Sequence, residues 1–247
     1  MDPEFVLLIF AVFAAATLQA ATGIGFGIIA GPLLLATLND GSAIQISIIL
    51  NLLIATLLVP SVRQHFDSTV LPKLVLGLLI GSPLGLAIFM VLDIVYLKAL
   101  AALFVLLALF FLLFGNRWNL SDVNQKLPVT EKISIGTIAG IMGGSLAMPG
   151  PVPAAWMAAR GFGKVVTRAT ILIMFIFAYV AALLLQAFIV GISKDTVLFS
   201  AELAIPTAVG ILAGRYLSHR ISEAAFRSII IVVLIATAVT LLLNLND

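Results

Sequence analysis

The chain consists of eight long apolar segments separated by short polar stretches. The segments cover residues 5–38, 42–62, 71–90, 97–114, 133–159, 165–190, 201–217 and 226–245. A helix of about 20 apolar residues is long enough to cross the hydrocarbon core of a bilayer. Charged residues make up 10% of the 247, against roughly 25% in soluble domains. We therefore predict an all-α integral membrane protein without a soluble domain.

Two of these segments, 5–38 and 133–159, are interrupted by glycine and proline. The first contains the stretch ATGIGFGIIAGPLLL and the second contains IMGGSLAMPGPVP. Non-helical backbone is tolerated at membrane depth only where protein buries it or where it lines a watery cavity. The second piece of each segment, 27–38 or 150–160, would be about 17 Å long as a helix, which is too short to cross. We therefore expect each interrupted segment to form a broken, re-entrant hairpin.

The distribution of the 13 Lys and Arg residues supports this topology. If every segment crossed the membrane, six would lie on one side and seven on the other. If both interrupted segments return to their own side, eleven share one side and only Lys98 and Lys194 lie on the other. By the positive-inside rule the side with eleven is cytoplasmic. We predict a multi-pass protein of the cytoplasmic membrane with both termini outside and the first apolar segment retained in the mature chain.

The two halves of the chain resemble each other. A shift of 119 residues lays Gly25, Gly31 and Pro32 on Gly144, Gly150 and Pro151, and a shift of 129 lays Gly81 and Gly85 on Gly210 and Gly214. Each half would make three crossings and one hairpin, and an odd number of crossings inverts the second copy. We predict two inverted repeats, 1–115 and 133–247, joined by a cytoplasmic linker, 116–132. The alternative is chance, since glycine and proline are frequent in membrane helices.

The breaks are the candidate site. In inverted-repeat transporters, half-helix N-termini near the midplane face anionic groups. Each helix start carries about half a positive charge and free N–H donors, so two converging starts favour an anion. We predict that the substrate is bound by Gln19, Thr22, Gly23, Gly25, Gly27, Asn51, Gly143, Gly144, Ser145 and Thr170. Arg168 is expected at a cytoplasmic entrance, where its charge would attract anions.

Other functions remain open from these residues. Glycines four residues apart also pack membrane helices closely, which would suit a membrane scaffold without transport. A passive anion channel would share the same site. An intramembrane enzyme is disfavoured because no Ser and His pair or paired Asp lies at membrane depth. The chain has no Cys and two His, both in loops, and no basic patch, so we predict no metal, no cofactor and no nucleic acid.

Two glycine-rich stretches, each followed by a proline, resemble the sulfite exporter TauE/SafE family, also called the 4-toluene sulfonate uptake permease family. The first copy is carried by Gly23, Gly25, Gly27 and Pro32, with Phe26 where a further glycine is common. The second copy is carried by Gly140, Gly143, Gly144 and Pro149, with Ser145 replacing the third glycine. The resemblance covers essentially the whole chain. It implies transport of sulfite or organosulfonates across a prokaryotic membrane without ATP hydrolysis, with the exact substrate, the direction and proton coupling left open.

Overall fold

The computed structural model describes residues 3–23, 25–114, 127–217 and 223–243, and the regular structure in these residues is helical. Its helices are α1 Pro3–Thr22, α2 Phe26–Leu38, α3 Ser42–Val62, α4 Leu71–Val91, α5 Ile94–Phe114, α6 Val129–Leu146, α7 Pro151–Ala159, α8 Lys164–Leu185, α9 Lys194–Leu217 and α10 Glu223–Leu243. A π-helical turn, Gln186–Val190, extends α8. The prediction of an all-α membrane protein is confirmed. Most of the predicted linker 116–132 lies outside the described residues.

Five of the described helices are long and apolar enough to cross a membrane, namely α1, α3, α4, α9 and α8 with its π-helical turn. The short helices are α2, with 13 residues, and α7, with 9. The first helix is longer than expected. It begins at Pro3 and has 20 residues, because proline and the acidic Glu4 are both well tolerated in a first helical turn. At 1.5 Å per residue α1 is about 30 Å long and can cross the membrane by itself.

The two ends of the second interrupted segment lie together. Glu131, in the first turn of α6, accepts hydrogen bonds from Arg160 Nε at 3.0 Å and from Arg160 Nη2 at 2.5 Å. The same carboxylate accepts a hydrogen bond from Trp156 Nε1 at 2.6 Å. Arg160 follows the last residue of α7. The chain therefore runs inward along α6 and comes back along α7 toward the end from which it started.

Helices α4 and α6 pack so closely that glycine is required along their contact. A β-carbon on Gly77, Gly81 or Gly85 of α4 would overlap the carbonyl oxygen of Ile133, Thr137 or Ile141 of α6, in that order. The relation holds in the other direction too. A β-carbon on Gly136 or Gly140 of α6 would overlap the carbonyl oxygen of Leu74 or Leu78 of α4. Backbones in such contact gain dispersion energy that larger side chains would prevent.

Helices α1 and α9 make a similar contact. A β-carbon on Gly210 would lie 2.5 Å from the carbonyl oxygen of Phe13, and one on Gly214 would overlap that of Thr17. Thr17 also donates its hydroxyl hydrogen to Gly210 O at 3.1 Å. The partners in the α4–α6 contact, Thr137 and Ile141, follow Phe13 and Thr17 by 124 residues in each case. The helix contacts of α1 and α6 thus repeat at an offset of 124 residues rather than 119.

Candidate functional site

The first break separates α1 from α2 by three residues. Two of them are glycines with positive φ, 90° at Gly23 and 149° at Gly25. Residues with a β-carbon rarely adopt these angles, so glycine is needed at both positions. Gly25 precedes the first residue of α2, and its carbonyl accepts hydrogen bonds from the N–H groups of Ile28 and Ile29 at 3.1 and 3.0 Å. Glycine at these two positions therefore lets the chain leave α1 and enter α2 with backbone angles that other residues avoid.

Gln19 connects this break to α3. Its Oε1 accepts the N–H of Phe26, the first residue of α2, at 2.8 Å, and its Nε2 donates to Asn51 Oδ1 at 3.5 Å. Asn51 Nδ2 in turn donates to Ser47 O at 2.9 Å. Both amide side chains are fully buried, with exposed fractions of 1% and 0%. Gln19 thus caps the start of α2, and the first N–H of that helix is already occupied.

Arg168 reaches the same break from α8. Its Nη2 donates to the carbonyl oxygen of Ala20 at 2.6 Å, near the C-terminal end of α1. Its side chain lies against Gly23, where a β-carbon would overlap Arg168 Cγ. The buried Nε has no hydrogen-bond partner among the described residues. The guanidinium therefore lies beside the break itself, at a helix end whose partial negative charge favours a cation.

The second break lies after the glycines that were expected to form it. Helix α6 continues through Gly143, Gly144 and Ser145 and ends at Leu146, where Ala147 adopts a left-handed φ of 57°. Ala147 N–H donates to Gly143 O at 3.0 Å and Met148 N–H donates to Met142 O at 3.2 Å, so residues after the helix bond to carbonyl groups of its last turns. Helix α7 then starts at Pro151, because a proline loses no hydrogen bond in a first helical turn. The break therefore covers residues 147–150.

Residues expected to face the substrate from this segment have other contacts. A β-carbon on Gly144 would lie 2.5 Å from Ser82 O of α4, and one on Gly143 would lie 3.2 Å from the ring of Pro149. Ser145 donates its hydroxyl hydrogen to Ile141 O at 2.7 Å, one turn back in its own helix. The glycines did not end α6, because α6 is held along its length against α4. In the described structure these three residues serve helix packing.

Two further candidates are also occupied elsewhere. The Thr22 hydroxyl donates to Leu18 O at 2.7 Å, within α1. The Thr170 hydroxyl accepts the N–H of Asp67 at 3.0 Å and so holds the loop between α3 and α4. Asn51, which lies 119 residues before Thr170, has a different role, since it bonds to Gln19. The structure therefore brings together Gln19, Asn51 and the glycines of the first break, but not Thr170.

The two breaks meet in the core. A β-carbon on Gly27, in the first turn of α2, would lie 2.6 Å from Ala147 O and 3.6 Å from Met148 Cα. The same carbonyl of Ala147 accepts a hydrogen bond from the hydroxyl of Tyr179 in α8, at 3.3 Å. One turn further along α2, a β-carbon on Gly31 would lie 3.8 Å from Leu146 O. The start of α2 is therefore packed directly on the end of α6.

Sequence reasoning missed several of these residues. Met148 and Tyr179 are ordinary members of apolar segments, and no local pattern distinguishes them. Ser47 carried a signal, since it is a polar residue in an apolar segment four positions before Asn51. In the part of the chain that the structure describes, no group of three or more His, Cys, Asp or Glu could hold a metal ion.

Helices long and apolar enough to cross a membrane, together with two interrupted helices whose breaks meet in the core, define a multi-pass helical membrane protein. The chain belongs to the sulfite exporter TauE/SafE family, whose profile matches residues 8–241. The family resemblance drawn from the glycine and proline stretches is thereby confirmed, and membrane transport of the sulfite exporter type follows from it. No curated protein and no solved structure matches the chain.

Proposed function

We propose that this protein is a secondary transporter that carries a small sulfur oxyanion, either sulfite or an organosulfonate, and that the anion binds where the two breaks meet. The observation that carries the proposal is the contact of Gly27 with Ala147, which joins both breaks at one place in the core. Non-helical backbone inside a membrane must be buried in protein or line a watery cavity. Inverted-repeat transporters bind their substrate at such interruptions.

Arg168 supplies the positive charge in this proposal. Arg168 is half-buried, a cation away from water is costly unless an anion pairs with it, and no carboxylate pairs with Arg168 in the described part of the chain. Its Nη2 is engaged with Ala20 O, while its buried Nε–H has no partner among those residues. A guanidinium presents parallel N–H groups that suit the oxygens of a sulfite or sulfonate. The anion would complete the hydrogen bonding of Arg168.

The remaining ligands come from the first break. Gln19 Nε2 carries two hydrogens, of which one is directed to Asn51, so the second is available to the substrate. Gly23 and Gly27 have no side chain, which lets Arg168 and the end of α6 approach the first break, and at Gly25 no atom lies closer than 3.7 Å to the position of a β-carbon. We leave Thr22, Gly143, Gly144, Ser145 and Thr170 out of the ligand set, because their contacts are made within or between helices.

We also propose that the halves 1–115 and 133–247 are inverted repeats that move against each other during transport in a prokaryotic cell, with both termini outside, the first hairpin opening to the outside and the second to the cytoplasm. Two observations support the repeat and the second hairpin. The glycine contacts of α4 with α6 resemble those of α9 with α1, and the ion pair of Glu131 with Arg160 joins the two ends of the second hairpin.

The test is transport by the purified protein in liposomes. Flux of sulfite, thiosulfate and two small organosulfonates is measured with and without a proton gradient, and protein-free liposomes serve as the control. We expect saturable flux of at least one anion, and its response to the gradient decides proton coupling. Flux that never saturates would identify a passive channel instead, and no flux from folded protein would contradict the proposal.

A further inference from the structure

Ser47 of α3 has a hydroxyl group that is used by no described residue. The side chain is fully buried, with an exposed fraction of 0%, and no hydrogen-bond partner lies within reach of its Oγ among those residues. Buried serines in helices commonly donate to the carbonyl one turn back. Three others here do so, with Oγ to carbonyl distances of 2.7 to 2.8 Å, namely Ser82, Ser145 and Ser200. Ser47 is therefore an exception that requires an explanation.

The hydroxyl of Ser47 points to the region where the two breaks meet. A β-carbon on Gly31 of α2 would lie 3.1 Å from Ser47 Oγ. The same β-carbon would lie 3.8 Å from Leu146 O and 4.0 Å from Met148 Cε, both at the second break. Gly31 and Gly27 are one turn apart and lie on the same face of α2. Ser47 thus lies one helical turn from the contact of Gly27 with Ala147.

The backbone of Ser47 is already part of the polar group at the first break. Its carbonyl oxygen accepts a hydrogen bond from Asn51 Nδ2 at 2.9 Å, and Asn51 accepts one from Gln19. Residues four apart on a helix share a face, so the side chains of Ser47 and Asn51 are directed to the same neighbours. A free hydroxyl therefore lies beside two buried amides and both breaks.

We infer that Ser47 is a ligand of the transported oxyanion and donates its hydroxyl hydrogen to one of the anion's oxygens. The inference rests on the proposed function, since it adds a residue to the same binding site. A buried hydroxyl without a partner is unfavourable, and a substrate oxygen would supply that partner during transport. Such a donor also gives specificity, because an analogue that lacks the oxygen leaves the hydroxyl unpaired.

The test compares Ser47→Ala with Ser200→Ala in the liposome flux assay. Ser200 is equally buried, but its hydroxyl is bonded to Thr196 O within α9. We expect Ser47→Ala to raise the KM for the transported anion on the order of tenfold, the effect of losing one hydrogen bond to a charged group. Ser200→Ala should keep the KM within about twofold of the wild-type value, as expected for a change away from the ligand.

A second variant separates binding from folding. Ser47→Cys keeps the size of the side chain but replaces the hydroxyl with a weak donor, so it should raise the KM while changing the thermal unfolding midpoint little. If both Ser47 variants have the KM of the wild type and differ from it only in stability, the Ser47 hydroxyl is hydrogen-bonded only to water and the inference is wrong. If the wild type carries no tested anion, the proposed function fails and the role of Ser47 fails with it.

Discussion

Gly27 of α2 and Ala147 at the end of α6 are in direct contact, so that a β-carbon on Gly27 would stand 2.6 Å from the carbonyl oxygen of Ala147. The same oxygen accepts a hydrogen bond from Tyr179 of α8. Ala147 has a left-handed backbone, which directs its carbonyl out of the axis of α6. Three helices thus meet at one carbonyl group, and both breaks are held in place by it.

Gly27→Ala tests this contact. The added methyl group would force α2 away from Ala147, so we expect transport to be lost and the free energy of unfolding to fall by about 1–3 kcal/mol, the usual cost of overpacking. Gly163→Ala is the matched control, because no atom lies within 4 Å of a β-carbon there. Flux and thermal unfolding are measured for both. Wild-type flux and stability in Gly27→Ala would show that the breaks are not closely packed.

Arg168→Gln tests the charge of the site. We expect a KM increase of about ten- to a hundredfold, since hydrogen bonds to a charged group are lost. Arg168→Lys should not restore affinity, because an ammonium group cannot replace the planar guanidinium at Ala20 O and at an oxyanion together. The control is Arg63→Gln, which removes an exposed charge at the end of α3. Equal KM values for the Arg168 and Arg63 variants would exclude Arg168 as a ligand.

Glu131→Gln tests the closure of the second hairpin. The carboxylate accepts hydrogen bonds from both Arg160 and Trp156, and the side chains of Glu131 and Arg160 are each 24% exposed. We expect the substitution to reduce the free energy of unfolding by about 1 kcal/mol, and by less at high salt, where the ion pair is screened. The exposed Glu202→Gln serves as the control in thermal unfolding. A loss that does not change with salt would mean that the charge of Glu131 is not responsible.

The carboxyl group of Asp67, in the loop between α3 and α4, is expected to make the stability of the protein depend on pH. Partial burial acts to raise the pKa of its carboxyl group, but hydrogen bonds from the Thr69 hydroxyl and from the N–H groups of Val70 and Thr69 outweigh it and hold the pKa below its ordinary value of 3.8. Because the folded-state pKa is depressed, this stabilisation is complete above about pH 5 and is lost as the pH falls below 3.8.

Asp67→Asn should therefore unfold at a temperature that changes less between pH 5 and pH 3 than that of the wild type, because the substituted side chain does not titrate. Asp93→Asn, at an exposed position before α5, removes one carboxylate of the same type and is the matched control. Parallel curves for the wild type and Asp67→Asn would show that the Asp67 hydrogen bonds do not stabilise the fold.

The helices were predictable because the thickness of the bilayer sets their length. The segment 42–62 coincides with α3. The start of α9 was placed seven residues late, at 201 instead of Lys194. Its first turn is polar but well capped, since Ser193 Oγ accepts the N–H of Thr196 at 3.0 Å and Asp195 lies in the first turn. An apolar pattern alone does not detect a helix that begins outside the hydrocarbon.

The site was predictable only in part. Glycine marks the first break, where Gly23 and Gly25 have positive φ, but the same residue type serves close packing at Gly144. Sequence spacing cannot separate these two uses. For this reason the 119-residue shift aligned Gly25, which lies in the first break, with Gly144, which packs α6 against α4. The free hydroxyl of Ser47 and the position of Arg168 against α1 depend on side-chain directions, which the sequence does not contain.

The most direct test of the transporter proposal is counterflow in liposomes. Vesicles that contain the protein are loaded with unlabelled sulfite, and the entry of a trace of radiolabelled sulfite is followed over time. If the protein is a carrier that exposes its site to each side in turn, we expect labelled sulfite to accumulate transiently inside the vesicles above its outside concentration. Vesicles without the protein should show no such accumulation. Entry that rises only to equilibrium would indicate a passive pore, and no entry at all would contradict sulfite transport by this chain.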